Sequence, residues 1–184
     1  MASTSFIARA ARAKDASVLL GPFRSAGRFR SLCTMASTSF IARAARAKDA
    51  SVLLGPFRSA GRFDASLERA GMTCTAISKD GVTCELTVTE DLTNNYGTLH
   101  GGCISLLVDI VGTMALLGVD PSRAGVSVEM NQSFCTAAPC GDTITATGTV
   151  TRYGRTLGFT EVTLQNSSSK VVAVGRHTKF FPPA

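Results

Sequence analysis

The sequence predicts an α+β domain in which an antiparallel sheet packs on one long helix. One long apolar segment has helical periodicity, and about six other segments are rich in Val, Thr and Ile and are separated by Gly, Ser or Pro. Strands and helices do not alternate along the chain, so a parallel sheet is not expected. The 184 residues are 45% hydrophobic and 17% charged, which excludes a disordered chain.

The first two strands are predicted to form a hairpin. Residues 72–79 and 82–90 flank an Asp-Gly dipeptide at 80–81, which favours a two-residue turn. Cys74 and Cys84 stand symmetrically about this turn and are placed to face each other, as two thiols or as a disulfide. Along the second segment apolar residues alternate with polar ones, so one face is expected to be buried: Val82, Cys84, Leu86 and Val88.

A polar loop at 91–98 is followed by a helix that is predicted over 99–117. Gly118 and Pro121 are expected to end this helix. Apolar residues recur along it at three- and four-residue spacing and mark one buried face: Ile104, Leu107, Val108, Val111 and Ala115. Four further strands are predicted at 125–134, 142–152, 156–166 and 170–181.

The N-terminal part contains an identical repeat. Residues 1–29 recur letter for letter at 35–63. A structural repeat drifts in sequence and needs more than two units, so this identity indicates a recent duplication or an error in the gene model. We divide the chain into a basic segment at 1–34, the second copy at 35–63, and a folded domain at 64–184.

Charge is unevenly distributed. The net charge is +6, yet residues 1–63 hold 11 Lys and Arg against two Asp, while 64–184 hold 8 basic and 11 acidic residues. The basic, Ser- and Arg-rich part is typical of a mitochondrial targeting peptide, and the second copy equally suits an ordinary N-terminal helix. Its basic residues lack interleaved aromatics, so no nucleic-acid partner is expected.

Location and redox state follow from the rest of the sequence. None of the six cysteines forms a CxxC pair or has a His at ligand spacing, so no metal site is expected. A mitochondrial or cytoplasmic location, where thiols stay reduced, is expected instead. No stretch of about 18 uninterrupted apolar residues is present, so no membrane-spanning helix is expected.

Asp109 is the first candidate for chemistry. It is the only charged side chain between His100 and Asp120. At about 100° of rotation per residue it lies beside Ser105 and Thr113, roughly opposite the apolar face of the predicted helix. This face is either solvated, which makes Asp109 a surface acid, or covered, in which case the carboxylate needs partners and becomes a site candidate.

Two further features are candidates for binding. The run from Leu99 to Gly102 opens the helix, where unpaired N–H groups and the helix dipole form a site for a carbonyl oxygen. The alternative is that His100 is only a polar cap at a sharp turn. Arg152 and Arg155 surround a predicted strand turn and suit either a phosphate-bearing ligand or a solvated hairpin tip.

These residues occur in an order and spacing that resemble a known family. The run NNYGTLHGG at 94–102, followed by Asp109, is similar to the signature of hotdog-fold acyl-CoA thioesterases of the PaaI-like branch. The resemblance covers about residues 65–181, and residues 1–34 have no counterpart. The match continues through TMALL at 113–117, GVSV at 125–128, GRTL at 154–157 and GRHTK at 175–179.

The resemblance implies a hotdog fold, a homotetramer built from two dimers, and hydrolysis of medium- to long-chain fatty acyl-CoA to free acid and CoA. It implies that Asp109 is the general base that activates water, and that Asn94 and the N–H of Gly101 hold the thioester oxygen. His100 would brace this loop, and Ser127 would position the water or the carboxylate. No metal and no cofactor besides the CoA of the substrate is implied.

The resemblance also implies a set of coenzyme contacts. The loop at 134–139 reads FCTAAP and lacks the lysine that the family would place there, so the grip on CoA rests more on Arg152 and Arg155. The implied contacts are Glu90, Ser127, Phe134, Cys135, Thr136, Ala137, Ala138, Pro139, Arg152, Tyr153, Gly154, Arg155, Thr156, Leu157 and Phe180.

The chemistry of a thioester is consistent with these residues. The attacked carbonyl develops negative charge and needs donors, and water needs a base, so no covalent nucleophile is required. No Ser stands in a GxSxG context, which argues against an α/β-type serine hydrolase. Two alternatives remain open: a hotdog hydratase, which also uses an Asp and a His, and a non-catalytic acyl-CoA-binding or scaffold module. The presence of Asp109 favours an enzyme over the module.

The active site is expected to be shared between two chains. His100 and Asp109 are nine residues apart on one helix, which corresponds to about 13 Å along the axis. One thioester group therefore cannot contact both the N–H of Gly101 and the carboxylate of Asp109 in the same chain. Two helices packed antiparallel would bring Gly101 of one chain near Asp109 of the other, and a twofold axis would create two such sites.

Overall fold

The computed structural model describes residues 63–183, and the segments predicted at 1–34 and 35–63 lie outside this range except for Phe63. A single 3-10 turn at Phe63–Ala65 leads into the first helix, and another at Glu90–Leu92 follows the second strand. The remaining elements are α1 (Ser66–Arg69), β1 (Thr73–Ile77), β2 (Gly81–Thr87), α2 (Gly101–Val119), β3 (Val126–Phe134), β4 (Thr143–Tyr153), β5 (Leu157–Gln165) and β6 (Val171–Phe180).

The six strands form one antiparallel sheet in the order β1-β2-β4-β5-β6-β3. The sheet packs on α2, which contacts every strand from β2 to β6. The predicted α+β architecture is therefore confirmed. Each predicted strand is present, and its ends agree with the sequence pattern to within a few residues. Val82, Cys84 and Leu86 of β2 are buried, as their alternation predicts.

The helix differs from its prediction at both ends. It begins at Gly101, two residues later than predicted, because His100 is the cap and its Nδ1 accepts the N–H of Gly102 at 2.8 Å. The expectation that Gly118 ends the helix is wrong. Gly118 lies inside α2, where a Cβ would stand 2.7 Å from the carbonyl oxygen of Ser78. The glycine therefore leaves room for the β1–β2 turn to pack on the helix and does not end the helix. Asp120 closes the last turn.

The helix lies close against the sheet because three strand positions lack a side chain. A Cβ at Gly148, Gly158 or Gly175 would stand 3.0 Å or less from a side-chain atom of the helix. The three glycines lie on β4, β5 and β6 beneath successive turns of α2: Gly148 beneath Val111, Gly158 beneath Leu116, and Gly175 beneath Val108.

The helix α2 is apolar and long enough to cross a membrane by composition alone. The mean hydropathy of its most apolar window is 2.0, although Asp109 interrupts the run. However, 61% of that window is buried inside the protein, which is the situation of a core helix. The apolar face predicted from the sequence is buried at each position: Ile104, Leu107, Val108, Val111 and Ala115.

Within residues 63–183, strand β3 is one edge of the sheet and is paired only with β6. In this part of the chain its outer edge has unpaired backbone groups, which are a template for another strand. Large apolar side chains on it are exposed as well, with 56% exposure for Val128 and 59% for Phe134. This combination is unusual for a strand that stays uncovered in solution.

Candidate active site

The predicted catalytic residues lie in two clusters on either half of α2. The helix-start cluster surrounds the first turn: Asn94, His100, Gly101, Phe134 and Ala138. The acid cluster lies two turns further along: Asp109, Thr113, Ser127, His177 and Lys179. Gly101 and Asp109 are eight residues apart, which places their backbones about 12 Å apart along the helix axis.

Asn94 shapes the loop that enters the helix. Its Oδ1 accepts the backbone N–H of Tyr96 at 2.9 Å and that of Thr98 at 3.3 Å. Its Nδ2 donates to the Thr98 hydroxyl at 3.0 Å. The side-chain oxygen is thus occupied inside the loop, as in an Asx turn, and one of the two Nδ2 hydrogens remains for a ligand.

The same loop is held against the segment that follows β3. Leu99 donates its N–H to the carbonyl of Ala138 at 2.8 Å, and Cys140 donates to the carbonyl of Gly97 at 3.0 Å. Thr98 and Pro139 form an isolated bridge between these two bonds. The structure therefore brings the predicted oxyanion residues and the predicted coenzyme loop 134–139 together within one chain.

Gly101 provides an open donor at the helix N-terminus. The N–H of Gly102 bonds to the His100 side chain, and the next N–H along bonds to the His100 carbonyl. Within residues 63–183 the N–H of Gly101 has no acceptor. A Cβ at this position would stand 3.5 Å from the ring of Phe134, so the donor lies beside an exposed aromatic ring and at the positive end of the helix dipole.

Asp109 lies among polar groups in the acid cluster. Its side chain is 43% exposed, and its Oδ1 lies 3.4 Å from both the Ser127 hydroxyl and the His177 Nε2. The Ser127 hydroxyl lies 2.8 Å from the same His177 nitrogen. The three side chains come from α2, β3 and β6 and form a compact triangle, in which Asp109 and Ser127 are accessible to solvent and His177 is not.

His177 is the fully buried member of this triangle. A Cβ at Gly112 would stand 3.1 Å from its Nδ1, so the ring packs directly on the helix backbone. Burial lowers the pKa of His177, and the nearby Lys179 lowers it further, so the ring is neutral at pH 7. Nε2 faces the Asp109 carboxylate and the Ser127 hydroxyl, whereas Nδ1 has no hydrogen-bond partner in the described part of the chain, so we assign the hydrogen to Nε2, where it is donated to Ser127.

Lys179 lies beneath the helix and is 6% exposed. Its Nζ donates to the Thr113 hydroxyl at 2.9 Å, and that hydroxyl donates to the backbone carbonyl of Asp109 at 2.8 Å. Burial lowers the pKa of Lys179, whereas the negative charge of Asp109 opposes this change. A buried cation therefore lies one helical turn from the carboxylate.

Apart from Glu90, the remaining predicted coenzyme residues lie at the end of the sheet opposite to the helix-start cluster. Phe180 pairs in register with Val126 on one side and with Leu157 on the other, so the turn after β4 lies near the start of β3. Arg152 and Arg155 are exposed in this region. Arg123 stacks on the Phe181 ring, with its guanidinium carbon 4.4 Å from the centroid, and donates to the carbonyl of Arg155. Glu90 is exposed in the turn after β2, near the helix-start cluster.

Sequence reasoning missed two residues of the acid cluster and one residue beside the predicted coenzyme turn. His177 and Lys179 are alternate residues of β6 and so share the face toward the helix. They are 68 or more positions from Asp109, and only the GRHTK run at 175–179 drew attention to them. Arg123 belongs to no recognised run, and its role depends on stacking that a sequence does not show.

A cleft of about 260 Å³ opens beside the helix-start cluster. Burial raises the pKa of Cys103 in its wall to about 11, which makes this thiol unreactive at neutral pH. Among residues 63–183, no group of three His, Cys, Asp or Glu side chains is arranged to hold a metal ion. Apolar and polar side chains line the cleft: Phe63, Leu67, Leu92, Cys103 and Leu106, with Ser66, Asp91, Thr93 and His100.

Known proteins match both the sequence and the fold. The sequence model of the family described as "Thioesterase superfamily" matches residues 96–173. Acyl-coenzyme A thioesterase 13 from Homo sapiens is 48% identical over 99 residues, which span 53% of this chain and 71% of that protein. The Mus musculus protein of the same name is 42% identical over 117 residues, spanning 63% of this chain and 82% of its own length.

A solved structure shows the same fold. Thioesterase superfamily member 2 from zebrafish superposes with a TM-score of 0.68 at 36% identity, covering 74% of this chain and all of that one. The chain belongs to the thioesterase superfamily, and the predicted hotdog fold is confirmed. Within that superfamily it is a relative of the acyl-coenzyme A thioesterase 13 proteins, so the family resemblance stated from the sequence is confirmed as well.

Proposed function

We propose that the protein hydrolyses acyl-CoA thioesters to free acid and CoA, with Asp109 as the general base that activates water. The observation that supports this most directly is the half-exposed Asp109 carboxylate next to the Ser127 hydroxyl, 3.4 Å away. A water bound to both groups would lose a proton to Asp109 as it attacks the thioester carbon. The reaction requires no metal, no cofactor and no covalent intermediate.

The helix-start cluster would stabilise the negative charge that develops on the thioester oxygen. The free N–H of Gly101 and the remaining hydrogen of the Asn94 amide are the two donors that would bind this oxygen. His100 acts on this site indirectly, because its ring caps the helix through the N–H of Gly102. We assign His100 to bracing the loop rather than to touching the substrate.

His177 is a positioning residue in this mechanism. Because its Nε2 donates to Ser127, the hydroxyl hydrogen of Ser127 is left to point toward the carboxylate or the water. The buried ring itself cannot reach a substrate. The hydratase alternative needs a His and an Asp that both contact the acyl group, and this Asp–His pair does not meet that requirement. Crotonyl-CoA should therefore keep its enoyl absorbance, while palmitoyl-CoA should release CoA to a thiol reagent.

A complete site would need two chains. The free donors of the helix-start cluster and the carboxylate of the acid cluster are about 12 Å apart in one chain. Strand β3 runs from Ser127 in the acid cluster to Phe134 in the helix-start cluster, and its outer edge is unpaired. A second β3 added antiparallel to this edge would place Phe134 of one chain near Ser127 of the other, and would cover the exposed apolar side chains.

Complementation tests this arrangement and the function together. Asn94→Ala and Asp109→Ala should each be nearly inactive alone. After unfolding and refolding in equal amounts, about half of the dimers are mixed, and each mixed dimer has one intact site, so activity should return to about a quarter of wild type. Asp109→Ala mixed with Ser127→Ala is the matched control. Both changes lie in the acid cluster, so no intact site can form and no activity should return.

The larger assembly follows as a proposal. We infer that two such dimers associate into a homotetramer, and light scattering should then give four times the chain mass of 19.2 kDa. A mass of twice the chain mass, together with successful complementation, would support the shared site and contradict the tetramer. A monomeric, fully active protein would contradict both proposals.

The acyl group is proposed to be of medium to long chain length. The cleft at the helix start adjoins the proposed oxyanion donor, and much of its wall is apolar. Cys103→Phe should fill this cleft and lower kcat/KM for palmitoyl-CoA roughly tenfold more than for hexanoyl-CoA. Cys140→Phe is the control, because Cys140 is exposed and does not line the cleft. Equal effects on both substrates would place the acyl chain elsewhere.

CoA is proposed to lie between the loop 134–139 and the turn that holds Arg152 and Arg155. The two guanidiniums are exposed and free to meet phosphates, and Arg123 stabilises the turn from below through the carbonyl of Arg155. With a second chain in place, the turn of one chain and the loop of the other would lie on the same side of the shared site.

A mitochondrial or cytoplasmic location is proposed from the basic N-terminal segments. Intact-mass measurement and N-terminal sequencing of the protein isolated from its cells would show where the mature chain begins. A start near residue 64 with mitochondrial fractionation supports a targeting peptide. A start at Met35 in a cytoplasmic fraction would support the second copy as part of the domain.

A further inference from the structure

Two cysteines face each other across the first hairpin. Cys74 of β1 and Cys84 of β2 are direct partners in the antiparallel register. Directly opposed residues of antiparallel strands have Cα atoms about 4.5 to 5.5 Å apart, with their side chains on the same face. This separation lies within the range of about 4.4 to 6.8 Å that a disulfide requires. No covalent bond joins the two sulfurs in the structure.

The two thiols differ in their surroundings. Cys84 is fully buried on the core side of the sheet, whereas Cys74 is half-buried at the edge. A hydrogen bond between the thiols, together with burial, raises the pKa of Cys84 well above its usual range. The two side chains therefore face each other across the hairpin, and Cys74 is the one that a reagent in solution reaches first.

The strand that carries Cys74 can adjust its geometry. β1 is an edge strand, and its register with β2 shifts between Cys74 and Ala76. A shift of this kind leaves an extra residue unpaired and increases the local twist. A small rotation of β1 at this place would bring the two sulfurs to the S–S dihedral angle of a disulfide while β2 keeps its pairing with β4.

We propose that Cys74 and Cys84 form a reversible redox modification site that reacts with small-molecule disulfides such as oxidised glutathione. The Cys74 thiolate attacks one sulfur of the oxidant and releases one glutathione thiolate, which takes up a proton. The Cys84 sulfur, on losing its proton, then attacks Cys74 and releases the second glutathione. Two protein thiols are oxidised to one disulfide, and one glutathione disulfide is reduced to two thiols.

The bond would fasten the edge strand without touching the active site. β1 and β3 are the opposite edges of the sheet, and the acid cluster lies at the β3 edge. The hairpin instead supports the other end of the helix, since the Ser78 carbonyl packs on Gly118. Oxidation should therefore stabilise the domain and leave kcat and KM for an acyl-CoA substrate within about twofold of the reduced values.

Exposure of the full-length protein to oxidised glutathione tests the proposal. After quenching in acid, unfolding and alkylation with N-ethylmaleimide, peptide mapping should show one peptide pair joined by a 74–84 disulfide and a mass lower by two hydrogens. The melting temperature should rise by several degrees and return on addition of dithiothreitol. Because Cys84 must lose a proton, ring closure should be faster at pH 9 than at pH 7.

Single variants give the matched controls. In Cys84→Ser the half-buried Cys74 should keep glutathione as a mixed disulfide, while in Cys74→Ser the buried Cys84 should stay unmodified. Cys103→Ser should leave the 74–84 disulfide unchanged. The proposal is overturned if both thiols remain alkylatable after prolonged oxidation of the folded protein, or if the first disulfide formed within the chain joins either residue to a different cysteine of the protein.

Discussion

The helix-start cluster and the acid cluster achieve reactivity in opposite ways. Most of the first comes from one run at 94–101, with Phe134 and Ala138 packed beside it, and its donors are the backbone N–H of Gly101 and the amide of Asn94. The second is assembled from α2, β3 and β6 around a buried neutral His and a buried Lys. In the proposed mechanism the first would supply donors for a negative oxygen and the second an acceptor for a proton. Hydrolysis needs both functions, and the separation of about 12 Å within one chain is the reason for proposing a site shared by two subunits.

The sharpest test of this difference is the removal of the proton acceptor. Asp109→Asn keeps the shape of the side chain, and kcat should fall by about a hundredfold or more with KM little changed. Steady-state kinetics with palmitoyl-CoA measure this effect. Asp80→Asn, in the exposed β1–β2 turn, is the control and should behave as wild type. Activity of Asp109→Asn within a few-fold of wild type would show that the acid cluster is not the source of the base.

A smaller effect is expected when the acid cluster keeps its carboxylate and loses its buried support. His177→Phe removes the donor to Ser127, so kcat should fall about tenfold, the equivalent of one hydrogen bond of about 1.4 kcal/mol. His177→Gln can still donate to Ser127 and should recover part of this loss. KM should stay constant in both variants. If His177→Phe loses only melting temperature and keeps kcat, the residue is structural and does not position Ser127.

The coenzyme end should respond in KM rather than in kcat. Arg155→Ala removes an exposed charge that is proposed to meet a phosphate, and KM should rise about fivefold at low salt, the equivalent of about 1 kcal/mol. The difference from wild type should shrink at about 0.5 M salt, since exposed charges are screened. Lys170→Ala, in an exposed turn distant from this region, should show no such change. A fall in kcat instead would place Arg155 with the reacting atoms.

The smallest effect is a dependence of stability on pH that only the acid cluster should show. Burial holds the pKa of His177 below 6.5, so the unfolded chain binds a proton that the native protein does not. Its contribution to stability is complete above about pH 6.5 and is lost as the pH falls below that value. The melting temperature should drop by a few degrees more between pH 7 and pH 5 in wild type than in His177→Gln. Equal drops would mean that His177 is protonated in the native state.

The same comparison explains what the sequence could predict. The Asn94, His100 and Gly101 part of the helix-start cluster could be predicted because these residues fall in one run from 94 to 102, and local hydrogen bonds of Asn94 and His100 fix their geometry. Asp109 could be predicted as a site residue because it is the one charged side chain within an otherwise apolar helix. The strands were readable from alternation and turn residues, and the domain boundary at 64 stays a prediction.

The contacts of His177 and Lys179 in the acid cluster could not be predicted from the sequence, because they depend on the register in which distant strands pair. Ser127 meets His177 only because β3 pairs with β6 in an alignment that includes a shift between Ser127 and Glu129. The helix end was misjudged for a related reason. Gly118 follows the pattern of a stop signal, but tertiary contact with Ser78 is what requires a glycine there.

The glycines on the two sides of the contact between α2 and the sheet have a consequence for interpreting sequence variants of this gene. Gly112 lies where a methyl group would come within 2.8 Å of the Thr160 hydroxyl, and Gly175 lies where one would strike Val108 at 2.6 Å. An alanine at either position changes no charge and removes no polar atom, yet it would push the helix away from β6 and separate Asp109 from His177. Damaging alleles should thus include substitutions that conventional scales of chemical similarity rank as mild.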